Sequence, residues 1–287
     1  RDSSVTGVQT CALPILCRRE GGKNLFLFHP VGGSVFCYSH LAETLGRDCT
    51  VYAVEAAGFR AERTVLNTEL HRVQDLAAYY LDEILKVETR DIVFGGWSFG
   101  GLVAYETACR YASMGGEPGP VLVLDSVADN SRAKHDAAKD DVALLKFLMR
   151  DLLPFDEEVL RSLPSDEKLA YLVQCGTGTG LLPEGFSVVQ MDNLVRTYRG
   201  NAIAAARYDR PTPSDLRVLL VRALDFAGNL HIVPDDEYQG WSRAVRPGNI
   251  TLRWTEGTHE SMISPGLAGN VATHVLEYLG HAQHPDA

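Results

Sequence analysis

Ser98 lies at the centre of the segment Gly96–Gly100, and a serine between two glycines at this spacing is typical of an activated nucleophile. The apolar segment Ile92–Phe94 before it predicts a strand, and the pattern of Phe99–Ser113 after it predicts a helix. The turn between them is tight, so glycines stand where a β-carbon would clash. We therefore predict that Ser98 is held out at the tip of a strand, with a helix N-terminus behind it.

A serine hydroxyl is a poor nucleophile until a base takes its proton, and a third group must orient that base. Of the nine histidines, His259 lies in a loop after the last predicted strand. His231 belongs to a segment between two predicted strands, and His274 falls inside the last predicted helix. In the chain order serine, acid, histidine, His259 is the base that we predict.

The residues alone leave two candidates for the acid. Asp125 ends the predicted strand Val121–Leu124, directly after the unit that carries Ser98. Asp225 ends the following predicted strand, and in folds with this chain order the later strand is the more usual place for the acid. Since both strand ends can reach a histidine on the last loop, the choice stays open at this point.

Two backbone N–H groups are needed to stabilise the negative charge that develops on a carbonyl oxygen under attack. The first is predicted at Phe99, the residue after the nucleophile, at the start of a helix. The second should come from the loop after an early strand, and the segment His29–Ser34 predicts Val31 as the donor. Gly32 and Gly33 let this loop approach a ligand closely.

Short apolar runs alternate with longer helical patterns along most of the chain, which predicts a mostly parallel, doubly wound α/β sheet. The alternation stops in residues 127–215, where helical patterns and prolines replace strands, so we predict a helical lid insertion there. The core of the domain is then residues 21–126 and 216–287. We interpret residues 1–20 as an adapter-derived artefact and a linker, because Val5–Ile15 resembles a sequencing adapter read in frame.

The composition restricts the function further. A formal net charge of -10 argues against a general nucleic-acid or anionic-membrane binder, and no stretch is apolar for the length of a membrane span. The cysteines are scattered without a C-x-x-C pair, which favours a reducing, cytoplasmic compartment and no zinc site. We expect no metal and no bound cofactor.

Taken together, these motifs resemble the thioesterase domains that end nonribosomal peptide synthetases and related polyketide synthases, within the α/β-hydrolase superfamily. The segments that carry the resemblance are Phe28–Gly33, Gly95–Gly101, Leu122–Ser126 and Gly257–His259. The resemblance covers residues 22–279, with the lid similar in position and helical character only. It implies an α/β-hydrolase fold, and it implies Asp125 as the acid rather than Asp225.

The resemblance also implies the substrate class. An acyl or peptidyl chain would arrive as a thioester on the phosphopantetheine arm of a carrier domain, in the same chain or in another. Ser98 would take it as an ester, and water or an internal nucleophile would release it as an acid or a ring. The alternatives are a stand-alone carboxylesterase or lipase-type hydrolase, and a catalytically silent binding module with the same fold.

One charged pattern concerns the partner. Four arginines fall on a narrow face if a helix runs from Val188 to Arg210, namely Arg196, Arg199, Arg207 and Arg210. We interpret this face as a docking stripe for an acidic carrier domain or for the phosphate of its arm. The alternative is an ordinary solvated helix face.

Overall fold

The structure is a computed structural model that describes residues 13–57, 72–128, 155–179, 182, 184–208, 212–225 and 236–281. The strands are β1 (Ile15–Cys17), β2 (Lys23–Phe28), β3 (Cys49–Val54), β4 (Ile92–Trp97), β5 (Val121–Leu124), β6 (Val218–Ala223) and β7 (Ile250–Thr255). The helices are α1 (Ser39–Leu45), α2 (Val73–Ile84), α3 (Phe99–Ser113), α4 (Glu157–Ser162), α5 (Ser165–Gly178), α6 (Val188–Ala206) and α7 (Ala268–His281).

These strands form one sheet in the order β1-β3-β2-β4-β5-β6-β7. The pairs from β3 to β7 are all parallel, and only β1 is antiparallel to its neighbour β3. The prediction of a mostly parallel sheet with helices is confirmed. The parallel order matters for chemistry because the carboxyl ends of β2, β4, β5, β6 and β7 then meet at one edge of the sheet.

The first strand lies within residues 1–20, which the sequence interpretation assigned to an artefact and a linker. Ile15 and Cys17 pair with β3, and the Arg19 N–H donates to Thr50 Oγ1 at 2.9 Å. The physical reason is that a short apolar run can add to the open edge of β3. Residues 1–12 lie outside the described residues, and the interpretation of residues 1–20 as an adapter-derived artefact and a linker stays a prediction.

Side chains alternate between two apolar layers along the central strands. Phe26 and Phe28 of β2 face the layer that α2 and α3 cover, whereas Leu25 and Leu27 face the layer that α1 and α7 cover. All four side chains are fully buried. Burial on both faces explains why these strands are continuous apolar runs in the sequence.

Between β5 and β6 the described residues form α4, α5 and α6 and no strand, in the part of the chain predicted as an insertion. A small apolar cluster joins them through Leu160, Leu172 and Met191. A capping box starts α6, because Ser187 accepts from the Gln190 N–H while the Gln190 side chain accepts from the Ser187 N–H. The boundaries at residues 127 and 215 stay a prediction. Within the described ranges, no helix has the length and apolar character needed to cross a membrane.

Candidate active site

Ser98 lies at the junction of β4 and α3 in a conformation that few residues adopt. Its φ is 57° and its ψ is -127°, which costs on the order of 1–3 kcal/mol in a residue with a side chain. The surrounding contacts hold it there: the Ser98 N–H donates to Leu124 O at 3.0 Å, and the Gly101 N–H donates to Ser98 O at 3.0 Å.

The glycines around Ser98 are required by close contact. A β-carbon on Gly96 would lie 2.3 Å from the carbonyl carbon of Gly100. A β-carbon on Gly100 would lie 2.2 Å from Phe28 O. The turn can therefore close only because these two positions have no side chain, as the sequence pattern predicts.

Asp125 and His259 meet at the same edge of the sheet. His259 Nδ1 lies 2.8 Å from Asp125 Oδ2, and the two side chains are only 15% and 3% exposed. The other carboxylate oxygen, Oδ1, accepts from the Ala223 N–H at 3.1 Å. The backbone of β6 thus orients the carboxylate, so that one oxygen faces the imidazole.

This contact determines which ring nitrogen carries the proton when the imidazole is neutral. A carboxylate only accepts hydrogen bonds, so the His259 Nδ1 carries the proton and donates. In the neutral ring Nε2 is then free of a proton, which is the form that can accept one from a serine hydroxyl.

Asp225, the other candidate acid from the sequence, follows the end of β6. Its side chain is exposed, and its backbone N–H donates to Gly257 O at 3.0 Å, which ties the end of β6 to the start of the loop that carries His259. This bond is made by the main chain of Asp225 and not by its carboxylate. His231 lies outside the described residues. His274 belongs to α7, and its Nε2 lies 3.1 Å from Trp254 O.

Trp97 supports His259 on the side of the nucleophile. The Trp97 Nε1–H donates to His259 O at 3.0 Å, and the two rings stack with centroids 4.8 Å apart. The indole therefore contacts both the ring and the backbone carbonyl of His259, which restricts the orientation of the imidazole. Sequence reasoning gave Trp97 no such role, because 162 positions separate the two residues.

Tyr38 is a second residue whose role the sequence does not reveal. Its hydroxyl donates to Phe28 O at 2.5 Å and accepts from the Trp97 N–H at 2.9 Å. Burial raises the pKa of Tyr38 well above its ordinary value, so the phenol stays protonated and able to donate. The oxygen bridges β2 and β4 just beyond their last backbone pair, at Phe28 and Gly96. It therefore fixes the strand ends beside Ser98.

We expect Tyr38→Phe to lower the free energy of unfolding by about 2 kcal/mol, because it leaves the buried carbonyl of Phe28 and the partly buried N–H of Trp97 without this partner. Urea denaturation of the purified variant measures this. The matched control is Tyr111→Phe, whose hydroxyl makes an exposed bond to Thr89 O at 3.3 Å. Equal losses in the two variants would contradict the bridging role of Tyr38.

We name the loop after β2, residues His29–Ser34, the oxyanion loop, after the N–H donor predicted in it at Val31. It lies against the start of α3, where the rings of His29 and Phe99 have centroids 6.0 Å apart. Phe99 is the first residue of α3, so its N–H has no partner within the helix. The two predicted N–H donors, Val31 and Phe99, are thus on adjacent segments at the edge that carries Ser98.

His29 braces the oxyanion loop from the core. Its Nδ1 is 2.7 Å from Pro30 O and its Nε2 is 2.7 Å from Tyr80 Oη. Burial lowers the pKa of His29 to about 4, and the bond to Pro30 O only partly offsets this, so the ring is neutral near pH 7. Because a carbonyl only accepts, Nδ1 donates to Pro30 O and Nε2 accepts from Tyr80.

A buried arginine lies near Asp125. Arg222 on β6 is 2% exposed, its guanidinium lies 4.5 Å from the centroid of the Trp254 ring, and its Nη1 donates to Glu237 O at 2.8 Å. Burial lowers the pKa of Arg222, and the negative charge of Asp125 acts in the opposite direction.

The predicted docking arginines are only partly covered by the described residues. Arg196 and Arg199 are exposed on α6, Arg207 follows its last turn, and Arg210 lies outside the described residues. Arg196 pairs with Asp192 at 2.7 Å, so part of its charge is already neutralised. In the described ranges, no cluster of three or more histidine, cysteine, aspartate or glutamate side chains could hold a metal ion.

Two curated relatives from Bacillus subtilis (strain 168) are similar to this chain. A dimodular nonribosomal peptide synthase is 29% identical over 196 residues, which is 67% of this chain and 8% of the relative. The polyketide synthase PksR is 27% identical over 277 residues, which is 89% of this chain and 10% of the relative. This chain therefore spans only a small part of the length of these two relatives.

Solved structures have the same fold. A four-domain nonribosomal peptide synthetase, crystallised in its holo form with AMP and glycine, covers 93% of this chain with 20% of its own, at a TM-score of 0.79 and 26% identity. The NocB thioesterase domain, in covalent complex with a fluorophosphonate nocardicin G analog, has a TM-score of 0.62 at 22% identity, over 90% of this chain and 95% of its own. The fold is that of the α/β hydrolases. A family model described as a thioesterase domain matches residues 23–279, and the chain belongs to this family of thioesterase domains.

Proposed function

We propose that this chain is a serine thioesterase that releases an acyl or peptidyl chain from the phosphopantetheine arm of a carrier domain. The observation that carries the proposal is the contact between His259 Nδ1 and Asp125 Oδ2 at the sheet edge where Ser98 is held. The relatives are a nonribosomal peptide synthase and a polyketide synthase, which supports a carrier domain as the source of the substrate.

The first half-reaction forms an ester on the protein. Ser98 Oγ attacks the thioester carbonyl while His259 Nε2 removes the hydroxyl proton, and Asp125 stabilises the resulting imidazolium. The N–H groups of Val31 and Phe99 donate to the carbonyl oxygen as it becomes negative. The carbon–sulfur bond then breaks, and His259 returns the proton to the departing sulfur of the pantetheine arm.

The second half-reaction frees the chain from Ser98. Water, or a nucleophile within the acyl chain, gives its proton to His259 and attacks the ester carbonyl, which again draws on the two N–H donors. The ester bond breaks and Ser98 recovers its proton from His259. Water yields a linear acid, whereas an internal nucleophile yields a ring. No metal or bound cofactor takes part in this scheme.

Mass spectrometry of the products from a panel of acyl-pantetheine thioesters tests the proposed function. Linear acids would identify hydrolysis, and products lighter by one water would identify cyclisation. Simple oxygen esters of the same acyl groups are the matched comparison. Rapid hydrolysis of those esters without any preference for the pantetheine thioesters would point instead to a carboxylesterase, and no turnover of either would point to a silent binding module.

We further propose that the exposed arginines of α6 contribute to carrier docking. The double variant Arg199→Glu/Arg207→Glu is then expected to raise KM for an acyl group on an intact carrier domain several-fold, because charge reversal weakens association with an acidic partner. The same variant should leave KM for free acyl-pantetheine unchanged. Arg110→Glu, an exposed reversal near the end of α3, is the control. Unchanged transfer from the carrier would contradict docking through this face.

A further inference from the structure

Asn201 is a buried polar residue of α6 that contacts the oxyanion loop. It is 5% exposed, and its Nδ2 donates to Val31 O at 2.9 Å. The two residues are 170 positions apart, and the bond joins a helix of the predicted insertion to a loop of the sheet edge. It therefore connects the part of the chain that would cover the substrate with the residue whose N–H would stabilise the oxyanion.

The apolar contacts of Val31 also join the oxyanion loop to α6. The Val31 side chain packs against Tyr198 and Ala202, which are both buried. Together with Asn201 these residues lie at positions i, i+3 and i+4 of α6, so they share one face of the helix. The oxyanion loop is thus seated on α6 by a hydrogen bond and by an apolar contact.

Two peptide groups meet at Val31, and different parts of the protein hold them. The carbonyl of the first, Pro30 O, accepts from His29 Nδ1 at 2.7 Å and from the Gly33 N–H at 2.9 Å. Peptide groups in the described residues are trans and close to planar, so the Val31 N–H points away from those two donors. The carbonyl of the second peptide group is Val31 O, which Asn201 holds.

The two peptide groups at Val31 are therefore held by different parts of the chain, the first by the oxyanion loop itself and the second by α6. His29 and Gly33, which belong to the oxyanion loop, fix the plane that contains the Val31 N–H. Asn201 fixes the following plane from α6, so that rotation about the two backbone bonds of Val31 is restricted from both sides. Loss of the Asn201 bond would let the second plane turn, and the first would then be held by the loop alone.

The end of α6 is also attached to the nucleophile helix. Tyr208 donates from its hydroxyl to Glu106 Oε1 at 2.7 Å, and the Thr212 N–H donates to the same oxygen at 2.8 Å. Glu106 belongs to α3 and is buried. Hydrogen bonds therefore hold α6 against both elements that carry the predicted N–H donors, which are α3 and the oxyanion loop.

We propose that Asn201 is a positioning residue for the oxyanion hole, which makes the rate of acyl transfer depend on the placement of α6. The proposal rests on the proposed function of Val31 as an N–H donor. In this arrangement the helix need not touch the reacting atoms. Its amide keeps the peptide after Val31 in place, and the Val31 N–H then stays aimed at the developing charge.

Steady-state kinetics with an acyl-pantetheine thioester test the proposal. Asn201→Ala is expected to lower kcat about 10-fold and to leave KM within about two-fold, since complete removal of one oxyanion donor costs roughly 10²–10³ in kcat and loosening should cost less. The control is Asn193→Ala, which removes another buried amide from α6. An equal fall in kcat for Asn193→Ala, or an effect of Asn201→Ala on KM alone, would overturn the proposal.

A second variant, Asn201→Asp, tests the hydrogen bond itself through the pH dependence of kcat. Asn201→Asp has nearly the same shape but offers a carboxylate, which cannot donate to Val31 O while it is ionised. When protonated it can donate, so the ratio of its kcat to that of the wild type should rise as the pH falls. Taking the ratio cancels any pH dependence that the variant and the wild type share. The ratio for Asn201→Ala should stay flat, and a flat ratio for both variants would contradict the proposal.

Labelling of Ser98 by a fluorophosphonate separates this inference from the proposed function. The phosphoryl oxygen enters the same hole, so Asn201→Ala should slow labelling by a factor similar to its effect on kcat. If the wild type turns over no thioester but labels, the proposed function fails while the labelling rates still test Asn201. An unchanged labelling rate in Asn201→Ala, or a wild type that does not label at all, would overturn the assignment. Should the alanine variant not fold, the pH ratio of Asn201→Asp decides.

Discussion

Replacement of Ser98 by alanine is expected to lower kcat for acyl-pantetheine hydrolysis by roughly 10⁶-fold, the size of the loss when the nucleophile of a serine protease is removed. No ester can form without the hydroxyl, and the remaining N–H donors and binding contacts leave only a small residual rate. The backbone of residue 98 keeps its φ of 57° in the variant, because the contacts of Gly96 and Gly100 impose it. The melting temperature should therefore change little.

A nearby serine supplies the control for this result. Ser126 is the second residue after β5, and its hydroxyl is buried without a hydrogen-bond partner in the described part of the chain. Ser126→Ala should keep kcat and labelling by a fluorophosphonate, because a hydroxyl without a partner contributes little to lose. Retention of thioester turnover in Ser98→Ala, or continued labelling there, would show that another residue is the nucleophile.

The order of strands and helices was predictable because burial on both faces makes the parallel strands continuous apolar runs. Val121–Leu124 and Ile92–Phe94 have no polar position, and the structure places both in the centre of the sheet. The short strand β1 was missed, because its three residues add to a sheet edge that is recognisable only once β3 is in place. Pairing of this kind depends on the partner and not on the local pattern.

In the predicted site, too, the residues that local features identify were found, and those that depend on distant contacts were not. Ser98 and His259 follow from a tight glycine turn and from chain order, which are local features. The choice between Asp125 and Asp225 depends on which carboxylate reaches the imidazole across the sheet edge, and the residues alone could not decide it. Tyr38, Trp97 and Asn201 form their contacts with partners 10 to 170 positions away, and no spacing rule in one sequence identifies such contacts.

Asp125→Asn is expected to lower kcat about 10⁴-fold, the loss seen when the orienting acid of a serine protease becomes an amide. The geometry gives the reason. The Ala223 N–H holds the oxygen at the Oδ1 position, so the amide nitrogen of the variant would face His259 Nδ1. Because that nitrogen donates, it favours the tautomer in which Nδ1 accepts and Nε2 carries the proton, and such a ring cannot take a proton from Ser98.

The matched variant is Asp225→Asn, which should keep kcat close to that of the wild type. The Asp225 side chain is exposed, and its bond to Gly257 O comes from the backbone N–H, which the substitution does not alter. Kinetics on both variants with one acyl-pantetheine thioester therefore decide between the two aspartates that the residues alone left open. A large loss in Asp225→Asn with near-normal turnover in Asp125→Asn would mean that His259 turns to the later strand during catalysis, and the contact at 2.8 Å would then belong to a resting arrangement only.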